Sequence, residues 1–340
     1  MKKYVLTAPY TFELKEVPIP EITDDQVLLR INYFGICGSD IQMYHGLHKY
    51  MTYPVTIGHE VSAYIDRAGA NAGDFREGEL VTIEPQVVCG KCWPCQIGRF
   101  NVCQNLRVMG VHQDGFASSY AAVDPSCLHK CGDLDPMLAA LMEPLAVGIG
   151  SAKRAGDLKG KNVVVVGAGT IGNLVAQSAG ALGAQNVMVT DFNQKKLDYA
   201  EKCGIKYCVN TADTSLSQVI DDAFGIQRAD VIIDCAATRG SFASIIAAAR
   251  PSSTIVITGN YKVPIEVEIP LIQRQEINLL GHMMYVREDF ADAIRFAREK
   301  TVRLDGFITR VYKSAELKDA FDFIDKNPDD VMKIVMSMQE

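Results

Sequence analysis

The sequence predicts a two-domain α/β chain, a mostly β part followed by a doubly wound parallel sheet. Three observations predict it. A length of 340 residues suggests about two domains. Residues up to about 130 are irregular, rich in glycine, proline and strand formers. From about 150 to 283, continuous apolar strands alternate with helical stretches, the pattern of a parallel sheet covered on both faces.

The elements follow in order. V-L-L-R-I-N-Y-F, from Val27, alternates in part and reads as a strand, while Pro18 and Pro20 mark loops. Asp135 followed by proline has the look of a helix start, and Pro144 interrupts the helical stretch that follows. K-N-V-V-V-V-G-A-G-T-I-G then gives a buried strand, a glycine-rich turn and a helix. Q-N-V-M-V-T-D-F is a second strand, and K-K-L-D-Y-A-E-K-C-G a helix closed by glycine. A-D-V-I-I-D-C-A and S-S-T-I-V-I-T-G-N supply two further buried strands. The tail is helical with short strands and is expected to return to the first domain. The expected division is 1–149, 150–283 and a returning segment 284–340.

A hydrophobic content of 48% with 22% charged residues supports a packed core. A net charge of -7 argues against a nucleic-acid partner, which a basic patch would serve. No apolar run approaches the roughly 18 residues of a membrane span, and the first residues lack the apolar core of a secretion signal. A cytoplasmic protein is expected. In that compartment clustered cysteines read as metal or redox groups rather than disulfides.

Cys89, Cys92, Cys95 and Cys103 fall within fifteen residues. Two short C-x-x-C spacings plus a fourth cysteine suit one tetrahedral zinc, with no open position and therefore no catalysis. A redox C-x-x-C opens a helix, whereas this one lies in a Gly/Pro loop. Cys127, Cys131, Cys203, Cys208 and Cys235 have no ligand-like spacing and read as ordinary thiols.

Gly167, Gly169 and Gly172 form G-x-G-x-x-G at the strand-to-helix turn, and Thr170 and Ile171 open the helix. The glycines permit the tight turn, the approach of a pyrophosphate and close helix packing. Asp191 ends the next strand, 19 residues after Gly172. A carboxylate there accepts from a ribose and repels the 2'-phosphate of NADP, so NAD is expected. Lys196 is a second candidate beside the adenine ribose, or a solvated surface lysine.

A different ligand set is spread over three segments. G-I-C-G-S-D holds Cys37, G-H-E holds His59 and Glu60, and M-E-P holds Glu143. A thiolate, an imidazole and carboxylates suit zinc with an exchangeable position. From composition alone Cys37 also reads as a buried apolar cysteine and Glu143 as a surface carboxylate at a helix turn.

Taken together, G-I-C-G-S-D, G-H-E, the four-cysteine lobe, M-E-P-L-A-V and V-V-G-A-G-T-I-G occur in the order seen in the zinc-dependent medium-chain alcohol and polyol dehydrogenases. The chain resembles that family, of sorbitol and threonine dehydrogenase type, over essentially its whole length. The resemblance implies a GroES-like β domain closed by the C-terminal segment, plus a Rossmann domain that binds NAD. It implies two zinc ions per chain. One is catalytic, on Cys37, His59 and Glu60 with Glu143 approaching directly or through water. The other is structural, on the four cysteines. It further implies oxidation of a secondary alcohol to a ketone, with Ser39 contacting the alkoxide and passing its proton outward. Ser39 read alone is also a helix cap. Where many relatives continue the relay with histidine, this chain has Gln42, which takes up no proton at neutral pH. Water, a carboxylate at the metal, or His45 is left to serve.

V-M-G-V-H-Q-D-G, with His112, resembles a branch acting on sugar acids such as L-gulonate and L-galactonate. That branch tends to carry an arginine after the glycine matching Gly281, where this chain has H-M-M-Y. Arg287 is the nearby substitute, or an exposed surface arginine. The expected partner is a polyol or sugar acid, and the expected assembly a homo-dimer or homo-tetramer. Alternatives are an L-threonine or butanediol-type dehydrogenase, or a catalytically silent zinc-binding regulator, which would lack ligands that are all present here.

Overall fold

The computed structural model describes residues 1–339. It divides into two units, Met1–Glu143 with Val286–Arg298 and Ile308–Glu340, and Pro144–Tyr285 with Glu299–Phe307. The tail does not return whole to the first unit. Glu299–Phe307 packs with the second, where Gln177 accepts the Arg303 N–H at 2.7 Å and donates to the Arg303 carbonyl at 3.1 Å.

The first unit is built on the strand Val27–Ile36, whose Val27, Leu28, Leu29, Ile31, Phe34 and Ile36 are buried. Along one side it pairs antiparallel with Glu60–Ala68. The other side is shared. Tyr120–Val123 pairs with residues 27–30, and the C-terminal strand Lys333–Ser337 pairs with residues 33–36. The chain's end therefore completes a seven-stranded sheet, beside the point where the central strand runs into Cys37. The register also sets Gly35 opposite Glu60. Outside this sheet, Gln86–Val87 pairs antiparallel with Arg107–Val108 and pinches together the ends of the cysteine-bearing loop.

The second unit is a six-stranded sheet, parallel throughout, in the order Tyr207–Asn210, Asn186–Asp191, Asn162–Val166, Val231–Asp234, Thr254–Ile257, Asn278–Gly281. Numbered within the unit this is 3-2-1-4-5-6, the order of dinucleotide-binding Rossmann domains. The central strand shows why its sequence is apolar at every position. Val163 and Val165 enter one core, with Val189 and Ile233, while Val164 enters the opposite core with Met188 and Ile232. Side chains alternate between two faces that are both covered by helices.

Asp135 caps the helix Pro136–Ala139 through the N–H groups of Met137 and Leu138. The interruption precedes Pro144. The next helix, Met142–Arg154, carries that proline in its first turn, where no N–H is required. Among the described residues no helix is long and apolar enough to cross a membrane.

Candidate functional site

The cross-strand register assembles the first cluster. Cys37 follows the central strand directly and occupies the N-cap of the helix Gly38–Tyr44. His59 and Glu60 lead into the neighbouring strand. Donor atoms of Cys37, His59 and Glu60 all lie within 4.8 Å of one another. Room for this is made by Gly35. A Cβ there would stand 2.2 Å from Glu60 Oε2.

Two residues that the sequence reading did not single out complete the arrangement. Asp40 is fully buried; one of its oxygens accepts the Cys37 N–H at 2.8 Å and the other lies 3.6 Å from His59 Nδ1. Burial alone would push the His59 imidazole down, but Asp40 and then Cys37 outweigh it and hold it well above its usual range. The field that draws a proton to His59 draws a cation to the same place. Thiol, imidazole and carboxylate are the donor mix that zinc accepts, so these residues fit that metal.

Lys333 is the second. Its ammonium donates to both oxygens of Glu60, at 2.7 and 2.6 Å, and to the Ile36 carbonyl at 3.2 Å. Lys333 and Glu60 are both buried. Burial would push the lysine down, yet Glu60, and then Cys37, hold it above its ordinary value. Glu60 thus combines a place in the donor cluster with a buried ion pair. A carboxylate has lone pairs enough for both.

Ser39 is the second residue of its helix, not the cap, and its Oγ lies 3.5 Å from His59 Nε2. Glu143 is buried at the start of Met142–Arg154 and is felt electrostatically by Lys333. It does not belong to the group of donors mutually within 4.8 Å. His45 Nε2 is 2.9 Å from an Asp325 oxygen and its ring packs near Tyr10. Arg287 is held 3.3 Å from the buried carboxylate of Glu84, which also contacts His129.

The four cysteines form a second cluster. Sγ separations are 3.5 Å for Cys92–Cys95, 3.8 Å for Cys92–Cys103 and 3.5 Å for Cys103–Cys89. A tetrahedron of sulfurs about 2.3 Å from zinc has edges of about 3.8 Å, whereas a disulfide needs about 2.05 Å. Backbone N–H groups of Cys89, Gln104 and Asn105 point at the sulfurs of Cys103, Cys92 and Cys103. Backbone donors, first from Lys91, bring the Cys89 thiol down to about 6, while burial carries Cys95 up to about 12. Burial likewise pushes Cys127, Cys131 and Cys208 up to about 12, and among the described residues these three belong to no group of converging metal donors. The only tryptophan of the sequence, Trp93, lies between two cage cysteines. Structural zinc contributes about 10–16 kcal/mol in small zinc-binding peptides. Stripping metal with a chelator is therefore expected to change Trp93 emission and open 89–105 to protease. Unaltered emission and protection would show that metal does not shape this loop.

In the second unit, the turn behaves as its glycines require. Gly167 has φ +101°, a region that favours glycine. A Cβ on Gly172 would stand 1.8 Å from the Gly167 carbonyl, so that helix packs directly on the turn. A Cβ on Gly169 would meet no protein atom within 4 Å, which leaves space for a ligand. Gly169 is the N-cap of Thr170–Ala181, so Thr170, Ile171 and Gly172 form the first turn. Asp191 accepts the N–H of Ala168 at 2.7 Å and of Asn193 at 2.9 Å. A cavity of about 300 Å³ is lined by Gly167, Asp191, Phe192, Thr238 and Ser241, among others. Lys196 is half-buried and does not line it.

Comparison with known proteins adds the following. Residues 23–133 match the family model described as alcohol dehydrogenase GroES-like domain, and residues 170–299 the one described as zinc-binding dehydrogenase. The chain is 32% identical to L-galactonate-5-dehydrogenase of Escherichia coli K12, over 91% of this chain and 90% of that protein. Its fold superposes with a TM-score of 0.92 on an alcohol dehydrogenase, RspB, of Escherichia coli CFT073 solved with NADH, at 28% identity and 99% coverage of both chains. It superposes with a TM-score of 0.91 on a Sinorhizobium meliloti protein solved with NADP, at 29% identity, covering 99% of this chain and 98% of that one.

Proposed function

Because the chain belongs to the zinc-type alcohol dehydrogenases, we propose that it oxidises a secondary alcohol of a polyol or sugar acid to a ketone, with NAD as hydride acceptor. The observation that carries this reading is the convergence of Cys37, His59 and Glu60 donors within 4.8 Å. These three would hold the catalytic zinc, with Glu143 as an approaching carboxylate, and the four cysteines a structural one. When bound, zinc supplies Lewis acidity that makes an alcohol proton easier to lose.

The chain's own residues do the rest. Asp40 fixes the Cys37 backbone and sets a buried carboxylate oxygen 3.6 Å from His59 Nδ1. Lys333 holds Glu60 in place. The Ser39 hydroxyl accepts the alcohol proton while releasing its own. Gln42 cannot take that proton onward, so the proton leaves Ser39 to water.

Related folds hold NADH in one case and NADP in another. The preference for NAD rests on Asp191, whose remaining lone pairs can accept ribose hydroxyls and whose charge repels a 2'-phosphate. Asp191→Ala is expected to raise kcat/KM for NADP relative to NAD by at least about tenfold, since a like-charge contact costs more than about 1.4 kcal/mol. Activity of the unaltered enzyme with NADP alone would refute the argument. The functional reading is tested by following reduced cofactor with L-galactonate, L-gulonate, sorbitol, L-threonine and 2,3-butanediol. Turnover confined to the last two would replace it with the small-substrate reading.

A further inference from the structure

The loop that bears His112 is fastened onto the segment that runs into His59. Gly115 N–H donates to the Thr56 carbonyl at 2.7 Å, Phe116 N–H to the Ile57 and Gly58 carbonyls, and Thr56 N–H to Asp114 Oδ1 at 2.8 Å. The approach is so close that a Cβ on Gly110 or Gly115 would stand 2.6 or 2.3 Å from the Gly58 carbonyl. His112 is therefore placed by backbone contacts, not by a mobile stem.

A second histidine shares this region. His48 is half-buried and lies within electrostatic reach of His112, Asp40 and His59. The two rings are tied down in the same way. His112 Nδ1 accepts the Val108 N–H at 3.0 Å, and His48 Nδ1 accepts the Tyr50 N–H at 3.4 Å. A neutral imidazole that accepts at Nδ1 carries its hydrogen on Nε2 and donates there. Charging either ring would require it to surrender its backbone donor. Burial, first, and then His112 push the His48 imidazole down, and burial followed by Arg107 does the same to His112. Two neutral N–H donors result, one on a loop fastened to the approach to His59 and the other four residues beyond the helix that Cys37 caps. They lack the acceptor that a proton relay needs, and they lack the charge that carboxylate capture needs.

We propose that His48 and His112 are specificity-determining residues whose Nε2–H groups donate to hydroxyls flanking the reacting carbon of a polyhydroxylated substrate. The proposal rests on the polyol or sugar-acid reading above. A site built to donate to substrate hydroxyls discriminates against analogues that lack them, because its donors are then left unmatched.

The test compares sorbitol and L-galactonate, which are polyhydroxylated, with 2-butanol, which has one hydroxyl. His48→Leu and His112→Leu are each expected to lower kcat/KM for the better polyhydroxylated probe by about tenfold relative to 2-butanol, the worth of one neutral hydrogen bond. His48→Gln, which restores an N–H near the Nε2 position, is expected to recover most of the selectivity. Unchanged selectivity, or an equal loss on 2-butanol, would overturn the proposal. A readout independent of turnover is nitrogen-15 NMR of the zinc-loaded protein without NAD. Both rings should show the Nε2–H tautomer, with Nε2 signals that move on adding the polyhydroxylated probe. A Nδ1–H tautomer, or signals that do not respond, would also overturn it. Failure of the unaltered enzyme on all three alcohols would instead sink the functional reading, and the tautomer measurement still decides the chemistry of the two rings.

Discussion

Cys37→Ser is expected to lower kcat/KM by at least about a thousandfold, because a Lewis acid contributes several kcal/mol and each 1.36 kcal/mol is a factor of ten. Serine is the informative replacement. Cys37 occupies the N-cap of Gly38–Tyr44, and serine is among the most favoured N-cap residues, so the helix survives the change. What is lost is a soft, anionic donor. A hydroxyl stays protonated near neutrality and is a poor zinc ligand.

Three measurements separate this from general damage. Metal analysis should fall from two zinc ions per chain to one. Trp93 emission should stay as in the unaltered protein, since the four-cysteine lobe keeps its own donors. NADH binding should persist, because Gly167, Gly169 and Asp191 belong to a separately packed unit. A variant that keeps full turnover would remove the catalytic-metal reading altogether.

How far these residues can be read in advance depends on how local their causes are. The glycine turn and the four cysteines act through neighbours within a few positions, so spacing alone reveals them. Cys37 and His59 are twenty-two positions apart and meet only because antiparallel pairing sets Gly35 opposite Glu60. Composition therefore leaves Cys37 open to a bland reading, and only the combined motifs connect it to His59. Gly35 stands in the motif as one more glycine. Its cause is a carboxylate across the sheet that leaves no room for a Cβ. Lys333 is the extreme case. It comes from the last strand, 273 positions from Glu60, and K-I-V-M-S reads as an ordinary strand with a polar first residue. Nothing along the chain states that this strand will lie beside residues 33–36. His48 is inconspicuous along the chain for a related reason. Its significance lies in a loop sixty-four positions away that folds back against the approach to His59.

The hidden lysine makes the second large prediction. Lys333→Met keeps most of the side-chain volume but leaves Glu60 as a buried carboxylate without its ammonium. Removing one partner of a buried pair costs about 3–5 kcal/mol, which for a unit of this size corresponds to a Tm fall of roughly 10 °C. The double variant Lys333→Met/Glu60→Gln should recover much of that loss, because no charge is then stranded. The pH dependence identifies the cause. The Lys333 ammonium is held above its ordinary value of 10.5, so its contribution is complete below pH 10.5 and is lost as pH climbs through the folded-state value. The gap between unaltered protein and single variant should therefore be constant near neutrality and close at high pH. Denaturant midpoints measured across pH would show this. A deficit that stays flat as pH rises, or no deficit at all, would mean that Lys333 fills space and that charge at Glu60 plays no part in holding the donor cluster together.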